Sequence, residues 1–200
     1  MIAVITGDII NSRSVDPSQW MVQLKEVLNS VGTEPKDWEI YRGDSFQLKV
    51  QPDQALYVAL LLKATIKHFK DLDVRMAIGI GEVDYEGAKI TESNGSAFIR
   101  SGECFETLKK ETLAISTGKE VFDRNTNLML SLATLTINTW TPVSSEIIKA
   151  ALLHPEKNQK ELAQLLNKKS QGTISEGLKR GGFDEIQRLM NYYKDEISKI

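Results

Sequence analysis

The stretch Tyr41-Arg42-Gly43-Asp44-Ser45-Phe46 places a Gly-Asp pair between two short segments in which apolar and polar residues alternate. Alternation with a period of two is typical of a half-buried β-strand, and glycine next to aspartate is typical of a tight turn between strands. The stretch therefore predicts a β-hairpin that carries Asp44 at its tip.

An unbroken apolar run, Ile2 to Thr6, lies upstream of the hairpin and is followed by Gly7 and Asp8. Such runs are typical of a central strand that is covered on both faces. If this strand lies beside the hairpin, the carboxylates of Asp8 and Asp44 reach one point. One or two carboxylates together with substrate phosphates suffice to bind Mg²⁺, so the pair predicts a site for Mg²⁺ or Mn²⁺.

The turn after Asp8 suits a phosphate group, because consecutive backbone amides in a turn form an anion-binding hollow and arginine adds charge. A structural explanation stays open as well, since Gly-Asp is a common turn and an aspartate after a strand often caps the next element. Arg42 and Arg75 are either partners of the two acids or solvated side chains. The predicted phosphate or ligand contacts are Ile9, Ile10, Asn11, Ser12, Arg13, Arg42 and Gly43.

The pattern up to Thr117 alternates strands and helices. Helical spacing follows Pro17, Pro52 (with Asp53 as the predicted cap) and Gly95, and further strands are predicted over 74–81 and 113–117. The order β-α-β-β-α-β-α-β predicts an α+β fold with one mixed sheet and helices packed on it. The hairpin in its middle argues against a purely parallel, doubly wound sheet.

After Phe122 the pattern is helical only. Leu128, Leu132 and Leu135 share one helix face, and Thr141-Pro142 begins the next helix. The segment that starts at Asn158, which predicts a capping box with Glu161, and the segment from Gln171 to Arg180 resemble a helix-turn-helix of bacterial regulators. Asn167 occupies the turn where glycine is usual.

We therefore predict that the second helix of this pair binds duplex DNA. A monomer holds one half-site weakly, so a homodimer is expected. The alternative is a helical bundle that packs or contacts proteins, with its lysines merely solvated. The predicted DNA-facing residues are Gln171, Thr173, Ser175, Glu176 and Lys179, with Lys168, Lys169 and Arg180 directed toward phosphates.

Composition argues against several other classes of protein. The 200 residues carry a formal net charge of −2, one cysteine and two histidines. This argues against a disulfide framework, a thiolate zinc cluster and a Ser-His-Asp triad. The apolar segment from Ala55 to Ala64 is too short to span a bilayer, and no signal peptide is recognisable. A cytoplasmic protein without membrane attachment is expected.

Residues 1–122 resemble the class III nucleotide cyclases in element order, in Asp8-Ile9, in the Gly43-Asp44 hairpin and in the strand Gly79-Ile80-Gly81. The hairpin is also similar to that of the GGDEF diguanylate cyclases. The resemblance implies a ferredoxin-like sheet, metal roles for Asp8 and Asp44, and a phosphate role for the turn that follows Asp8.

Three positions depart from the cyclase pattern. Ile40 stands where those enzymes have a base-reading lysine, and Ile99 and Glu103 stand where they have an asparagine and an arginine. A glutamate would repel the negative charge that develops in the transition state. We therefore expect no cyclase activity and assign no catalytic residue, although nucleotide binding can persist.

Over nearly its full length the chain is similar to the SatD family, on Gly7-Asp8-Ile9, Gly43-Asp44, Gly95-Ser96-Ala97-Phe98 and Trp140-Thr141-Pro142. The resemblance implies a cyclase-like domain (1–123), a connecting helix (124–140) and a helix-turn-helix domain (141–200). The function expected is that of a bacterial transcriptional regulator with a degenerate nucleotide- or metal-phosphate-binding domain. The alternatives are a Mg²⁺-dependent nucleotidyl-transfer enzyme acting on nucleoside triphosphates and a non-catalytic dimerising scaffold.

Overall fold

A mixed five-stranded sheet forms the centre of the molecule. The structure is a computed structural model and describes residues 1–200. All neighbouring strands are antiparallel except the last pair, which is parallel. The predicted α+β class and mixed sheet are confirmed. The strands are β1 (Ile2–Ile10), β2 (Trp38–Tyr41), β3 (Ser45–Val50), β4 (Asp73–Gly81) and β5 (Leu113–Ser116), in the order β2-β3-β1-β4-β5.

Eight α-helices complete the fold, in the predicted order. One prediction about their ends is wrong: Asp53 does not cap the second helix, because it lies inside a 3₁₀ turn, Pro52–Gln54, and its carboxylate accepts only from the Gln54 side chain. No helix combines the length and the apolar character that crossing a membrane requires. The helices are α1 (Pro17–Val31), α2 (Ala55–Ile66), α3 (Ser96–Thr107), α4 (Glu120–Ile137), α5 (Pro142–Leu153), α6 (Gln159–Leu165), α7 (Gln171–Arg180) and α8 (Phe183–Ile197).

The two faces of the sheet differ in character, as the alternation of side chains along β1 shows. Ile5 and Ile9 point into the large hydrophobic core, which includes α1 and α2, whereas Val4 packs with apolar side chains of α3. Thr6, on the same face as Val4, donates a hydrogen bond to Ser101 of α3 (Oγ1 to Oγ, 3.0 Å). Asp8, two residues further along, therefore lies on this more polar face.

One hydrophobic core connects the sheet to the C-terminal helices. Its 43 buried residues run from Ala3 in β1 to Ile197 in α8. Tyr57 of α2 donates a hydrogen bond to the Leu152 carbonyl of α5 (3.3 Å), and Tyr193 of α8 donates one to the Pro52 carbonyl (2.6 Å). The core thus extends across the positions 123 and 140 at which the sequence suggests domain boundaries, and those boundaries stay a prediction.

Candidate functional site

The end of β1 lies beside the hairpin tip. Asp8 pairs with Ser45 across the β1–β3 ladder, and the Ile9 amide donates a hydrogen bond to the Asp44 carbonyl (3.1 Å). In the turn after β1, the Ser12 hydroxyl donates to Oδ2 of Asp44 (2.6 Å). The two loops that the sequence singles out are therefore in direct contact.

Asp8 is held by an arginine from the strand on its other side. Asp8 and Arg75 are cross-strand partners of β1 and β4, and Arg75 donates from Nε to Oδ1 (3.2 Å) and from Nη2 to Oδ2 (2.7 Å). The hydrogen bond to Asp8 raises the pKa of Arg75. The guanidinium also lies 4.8 Å from the centroid of the Phe105 ring of α3. Arg75 is therefore the partner of an acid and not a solvated side chain.

The two aspartates therefore have different partners, Arg75 for Asp8 and Ser12 for Asp44. No three side chains of His, Cys, Asp or Glu come together in a group that could hold a metal ion. Both oxygens of Asp8 accept hydrogen bonds from Arg75, so a metal bound there would have to displace the arginine. The donor set fits Mg²⁺ only together with phosphate oxygens of a ligand, with Asp44 as the more available carboxylate.

Left-handed backbone conformations occur at three positions at this end of the sheet, Asn11 (φ 59°), Arg42 (φ 54°) and Asp71 (φ 68°). Asparagine and aspartate tolerate this conformation, whereas for the bulky Arg42 it is an outlier and indicates strain. The Asn11 side chain joins two of these loops by donating to the Asp71 carbonyl (3.1 Å). Such strained positions cluster at ligand-binding and catalytic sites.

Two exposed arginines lie at this end of the sheet, together with the exposed acids Asp71 and Glu106. Arg13 and Arg42 are both exposed and form no ion pair, and the loop Asn11 to Ser14 lines an open hollow of about 460 Å³. Two unpaired guanidinium groups on adjoining loops favour an anionic ligand, above all one with phosphate oxygens. Of the predicted contacts, Asn11 to Arg13, Arg42 and Gly43 lie on these two loops. Ile9 and Ile10 instead end β1, and the amide of the buried Ile9 already donates to the Asp44 carbonyl, so the prediction of Ile9 as a phosphate contact is wrong.

The three residues at which the sequence departs from the cyclase pattern lie in ordinary structural surroundings. Ile40 on β2 is half-buried and packs against the core, whereas Ile99 and Glu103 are exposed on α3. One residue near Asp8 was missed at the level of sequence: Tyr41 is half-buried, and burial raises its pKa, with Arg42 opposing and Asp8 adding to the shift. Its place at the end of β2, beside the hairpin turn, is the signal that would have found it.

The C-terminal helices α6 and α7 meet through a well-defined turn. The capping box of Asn158 and Glu161 is confirmed: Asn158 Oδ1 accepts from the amide of Glu161 (3.1 Å), and Glu161 Oε2 accepts from the amide of Asn158 (2.8 Å). Asn167 adopts the left-handed conformation (φ 51°), and the Lys168 amide closes the helix end on the Ala163 carbonyl (2.9 Å). Asparagine thus serves where glycine is usual in such a helix end.

The predicted DNA-facing residues form the outer surface of α7. Gln171, Ser175, Glu176 and Lys179 are exposed and Thr173 is half-exposed, whereas Ile174 is fully buried against the core. The basic residues of this predicted DNA-binding surface differ in whether they already have an acidic partner. Lys168 forms an ion pair with Glu146 of α5 (2.6 Å) and Arg180 forms one with Glu176, but Lys169 is exposed without an acidic partner.

These features define an α+β protein with an arginine-rich, strained sheet end and a C-terminal helical unit packed on the same core. The sequence profile of the SatD family matches residues 1–191. The chain therefore belongs to the SatD family, and the family-level resemblance suggested by the sequence is confirmed. Comparison with curated proteins and with solved structures gave no significant match.

Proposed function

We propose that this protein is a DNA-binding transcriptional regulator in which α6 and α7 form a helix-turn-helix. In this proposal the N-terminal α+β part is a degenerate cyclase-like domain, with a ferredoxin-like sheet, that binds a nucleotide or another phosphate ligand and tunes a cytoplasmic homodimer. The observation that carries the proposal is the polar outer face of α7 behind a left-handed turn at Asn167.

The geometry of α7 supports its role as a recognition helix. Its apolar side packs on α5: a Cβ at Gly177 or Gly181 would overlap the side chains of Ile147 or Ile148. The opposite side presents Gln171, Ser175 and Lys179 at helical spacing, and amide, hydroxyl and ammonium groups all bond to base edges. A helix held so firmly on one side and polar on the other matches a recognition helix that enters the major groove.

Phosphate binding is expected to depend chiefly on Lys169. Lys168 and Arg180 are engaged by Glu146 and Glu176, so each loses an ion pair when it turns to a phosphate. Phosphate contacts supply a sequence-independent part of the affinity that falls with salt. The protein should therefore bind non-specific DNA weakly at physiological salt and rely on its target sequence.

The test is selection of bound fragments from genomic DNA, followed by fluorescence anisotropy on the selected and scrambled duplexes at several salt concentrations. Lys169→Ala should weaken binding to both duplexes and reduce the salt slope by about 1. Lys25→Ala, which removes an exposed lysine of α1, is the matched control and should bind as the wild type does. The proposal fails if no sequence is enriched at low salt, or if both lysine variants behave alike.

The ligand-binding part of the proposal rests on Arg13, Arg42, Ser12 and Asp44. A thermal-shift panel of nucleotides, with and without Mg²⁺ or Mn²⁺, measures it directly, because a ligand at a hundred times its Kd adds about 2.7 kcal/mol to the free energy of unfolding. Arg13→Ala combined with Arg42→Asn should abolish the shift, since asparagine tolerates the left-handed backbone of residue 42.

The effect of metal on the thermal shift distinguishes a regulator from a nucleotidyl-transfer enzyme and from a non-catalytic scaffold. If Mg²⁺ joins ligand and protein, Asp44→Asn should remove only the metal-dependent part of the shift. A nucleotide product whose formation is lost in Asp44→Asn would establish nucleotidyl transfer instead of regulation. A panel without any shift would leave a non-catalytic scaffold.

A further inference from the structure

The helix α4 exposes an apolar stripe along most of its length. Val121, Leu128, Leu132 and Leu135 have 62%, 62%, 58% and 69% of their surface exposed. The sequence groups the three leucines on one face, and the structure confirms the face but turns it toward solvent. The core-facing side of the same helix is occupied by other residues, Thr126, Leu130, Thr134 and Ile137.

The stripe has the spacing of a helix that packs against another helix. Val121, Leu128 and Leu135 recur every seventh residue, and Leu132 and Asn125 lie four residues after Leu128 and Val121. This is the alternation of a and d positions in a two-stranded coiled coil, with Asn125 and Leu132 at a. No helix of the same chain packs against this exposed face of α4.

The exposed face also lacks charge. From Asn125 to Ile137 there is no Asp, Glu, Lys or Arg, although charged residues make up 26% of the chain. Depletion of charge at the centre of an apolar patch distinguishes interfaces from ordinary surface. The patch borders a groove of about 770 Å³ between α4 and α8, whose apolar lining includes Met129, Leu189 and the partly exposed Tyr192. The far side of the groove is charged and is lined by Lys179, Arg180, Glu185 and Arg188.

We propose that this α4 face, with the apolar side of the adjoining groove, binds a second copy of the chain, and that the two α4 helices pack parallel and in register. A two-fold interface brings a patch against itself. A charged stripe would meet like charge there, whereas the α4 stripe has no charged residue from Asn125 onward. The register follows from Asn125: in the parallel arrangement its amide meets the Asn125 amide of the partner subunit, whereas in the antiparallel one it would face apolar side chains.

The size of the stripe sets the expected strength of association. Val121 to Leu135 covers about 21 Å of helix at 1.5 Å per residue, which alone falls short of the about 800 Å² per partner of a standard interface. The groove wall around Tyr192 must therefore contribute, and the dimer should dissociate on dilution. The α4 interface rests on the proposed function in that it would be the surface of the proposed homodimer. Dimerisation is measured without DNA or ligand, so the dimer interface and the regulatory function can fail separately.

The first test is sedimentation velocity over a wide range of protein concentrations. The wild type should form dimers, and Leu128→Asp should raise the dimer Kd at least tenfold because two carboxylates would meet at the two-fold axis. Val22→Asp is the control, since Val22 of α1 is 57% exposed and lies off the stripe; it should dimerise as the wild type does. Far-UV circular dichroism verifies that both variants fold.

A cysteine scan tests the register. Val121→Cys alone should form a disulfide-linked dimer on mild oxidation, as should Leu135→Cys alone. The single native cysteine, Cys104, gives little background, since burial raises the pKa of its thiol to about 11 and thiol exchange requires the thiolate. The proposal would be overturned by a wild type that stays monomeric, by equal Kd values for Leu128→Asp and Val22→Asp, or by crosslinking only in a mixture of Val121→Cys and Leu132→Cys chains, which is the pair that an antiparallel arrangement brings together.

Discussion

At the scale of single residues, Lys63 of α2 stands out because none of its surface is exposed. Its ammonium donates to Oδ1 of Asp73 (2.6 Å) and to the Val74 carbonyl (2.8 Å). Lys67 donates to the other oxygen of Asp73 (3.4 Å) and to the Asn138 carbonyl just after α4 (3.3 Å). The two lysines thus connect the start of β4 with the ends of two helices.

Burial lowers the pKa of Lys63 to about 8, with Asp73 opposing the shift. Between pH 8 and the ordinary lysine value of 10.5 the unfolded chain binds more protons than the folded one, so the free energy of unfolding rises with pH across this window. Lys63→Met should remove a rise of up to about 3 kcal/mol. Urea unfolding of both proteins at pH 7.5 and pH 10 measures it. Equal pH dependence in the two would contradict this account.

Gly79 of β4 has no room for a side chain. A Cβ there would overlap the Ser101 nitrogen and the Ala97 carbonyl oxygen, both backbone atoms of α3 that cannot turn aside. Gly79→Ala should therefore lower the free energy of unfolding by about 3 kcal/mol or more. Gly102→Ala on α3 is the control: its Cβ meets nothing within 4 Å, so better helix propensity should stabilise by up to about 1 kcal/mol. Chemical denaturation compares the two, and similar losses would refute the packing argument.

The site shows at residue level what a sequence can and cannot predict. The turn after β1 and the hairpin tip carry local signals, glycine and alternation, and their contact follows once their strands are neighbours. The Asp8–Arg75 pair carries no local signal, because it depends on which residue of β4 lies opposite Asp8. A shift of that register by one residue would turn Arg75 to the other face, so the sequence left its role open.

At the scale of elements, α6 is too short to form without its caps and its contacts. It has seven residues, and Asn158 accepts hydrogen bonds from the amides of both Lys160 (3.0 Å) and Glu161 (3.1 Å). Asn158→Ala should lower the free energy of unfolding by about 1 kcal/mol. Because α6 packs on α7, exchange through local opening should quicken most in these two helices, whereas the protected amides of the sheet should change only by the loss of global stability. An increase in β1 as large as in α6 would mean that the effect is not local.

The helical face of α4 shows where patterns stop being informative at this scale. Their spacing shows that Leu128, Leu132 and Leu135 lie on one face of the helix. It does not show whether that face is buried in the protein's own core or exposed for a partner, because both have the same period. Only the packed structure, in which Leu130 and Ile137 already fill the core side, separates the two cases. The charge-free stretch after Arg124 is the sequence feature that favours the second of these cases.

At the scale of the whole molecule, the shared core predicts one cooperative unfolding transition and not two. Tyr193 in α8 reaches the Pro52 carbonyl in the 3₁₀ turn before α2 (2.6 Å). The same core continues from β1 to α8, so neither part can unfold without exposing the other. Calorimetric and van't Hoff enthalpies should agree at fixed protein concentration.

Tyr193→Phe sharpens this test. The variant loses the partly buried hydrogen bond to the Pro52 carbonyl, which should cost about 1 kcal/mol. In a single cooperative unit, this loss lowers the unfolding midpoint of β1 and of α8 together, because both share one equilibrium. Hydrogen exchange in increasing urea follows peptides from the two ends of the chain in one experiment. If α8 lost protection well before β1, residues 141–200 would be a domain of their own, and the boundary that the sequence suggests near residue 140 would mark a separate folding unit.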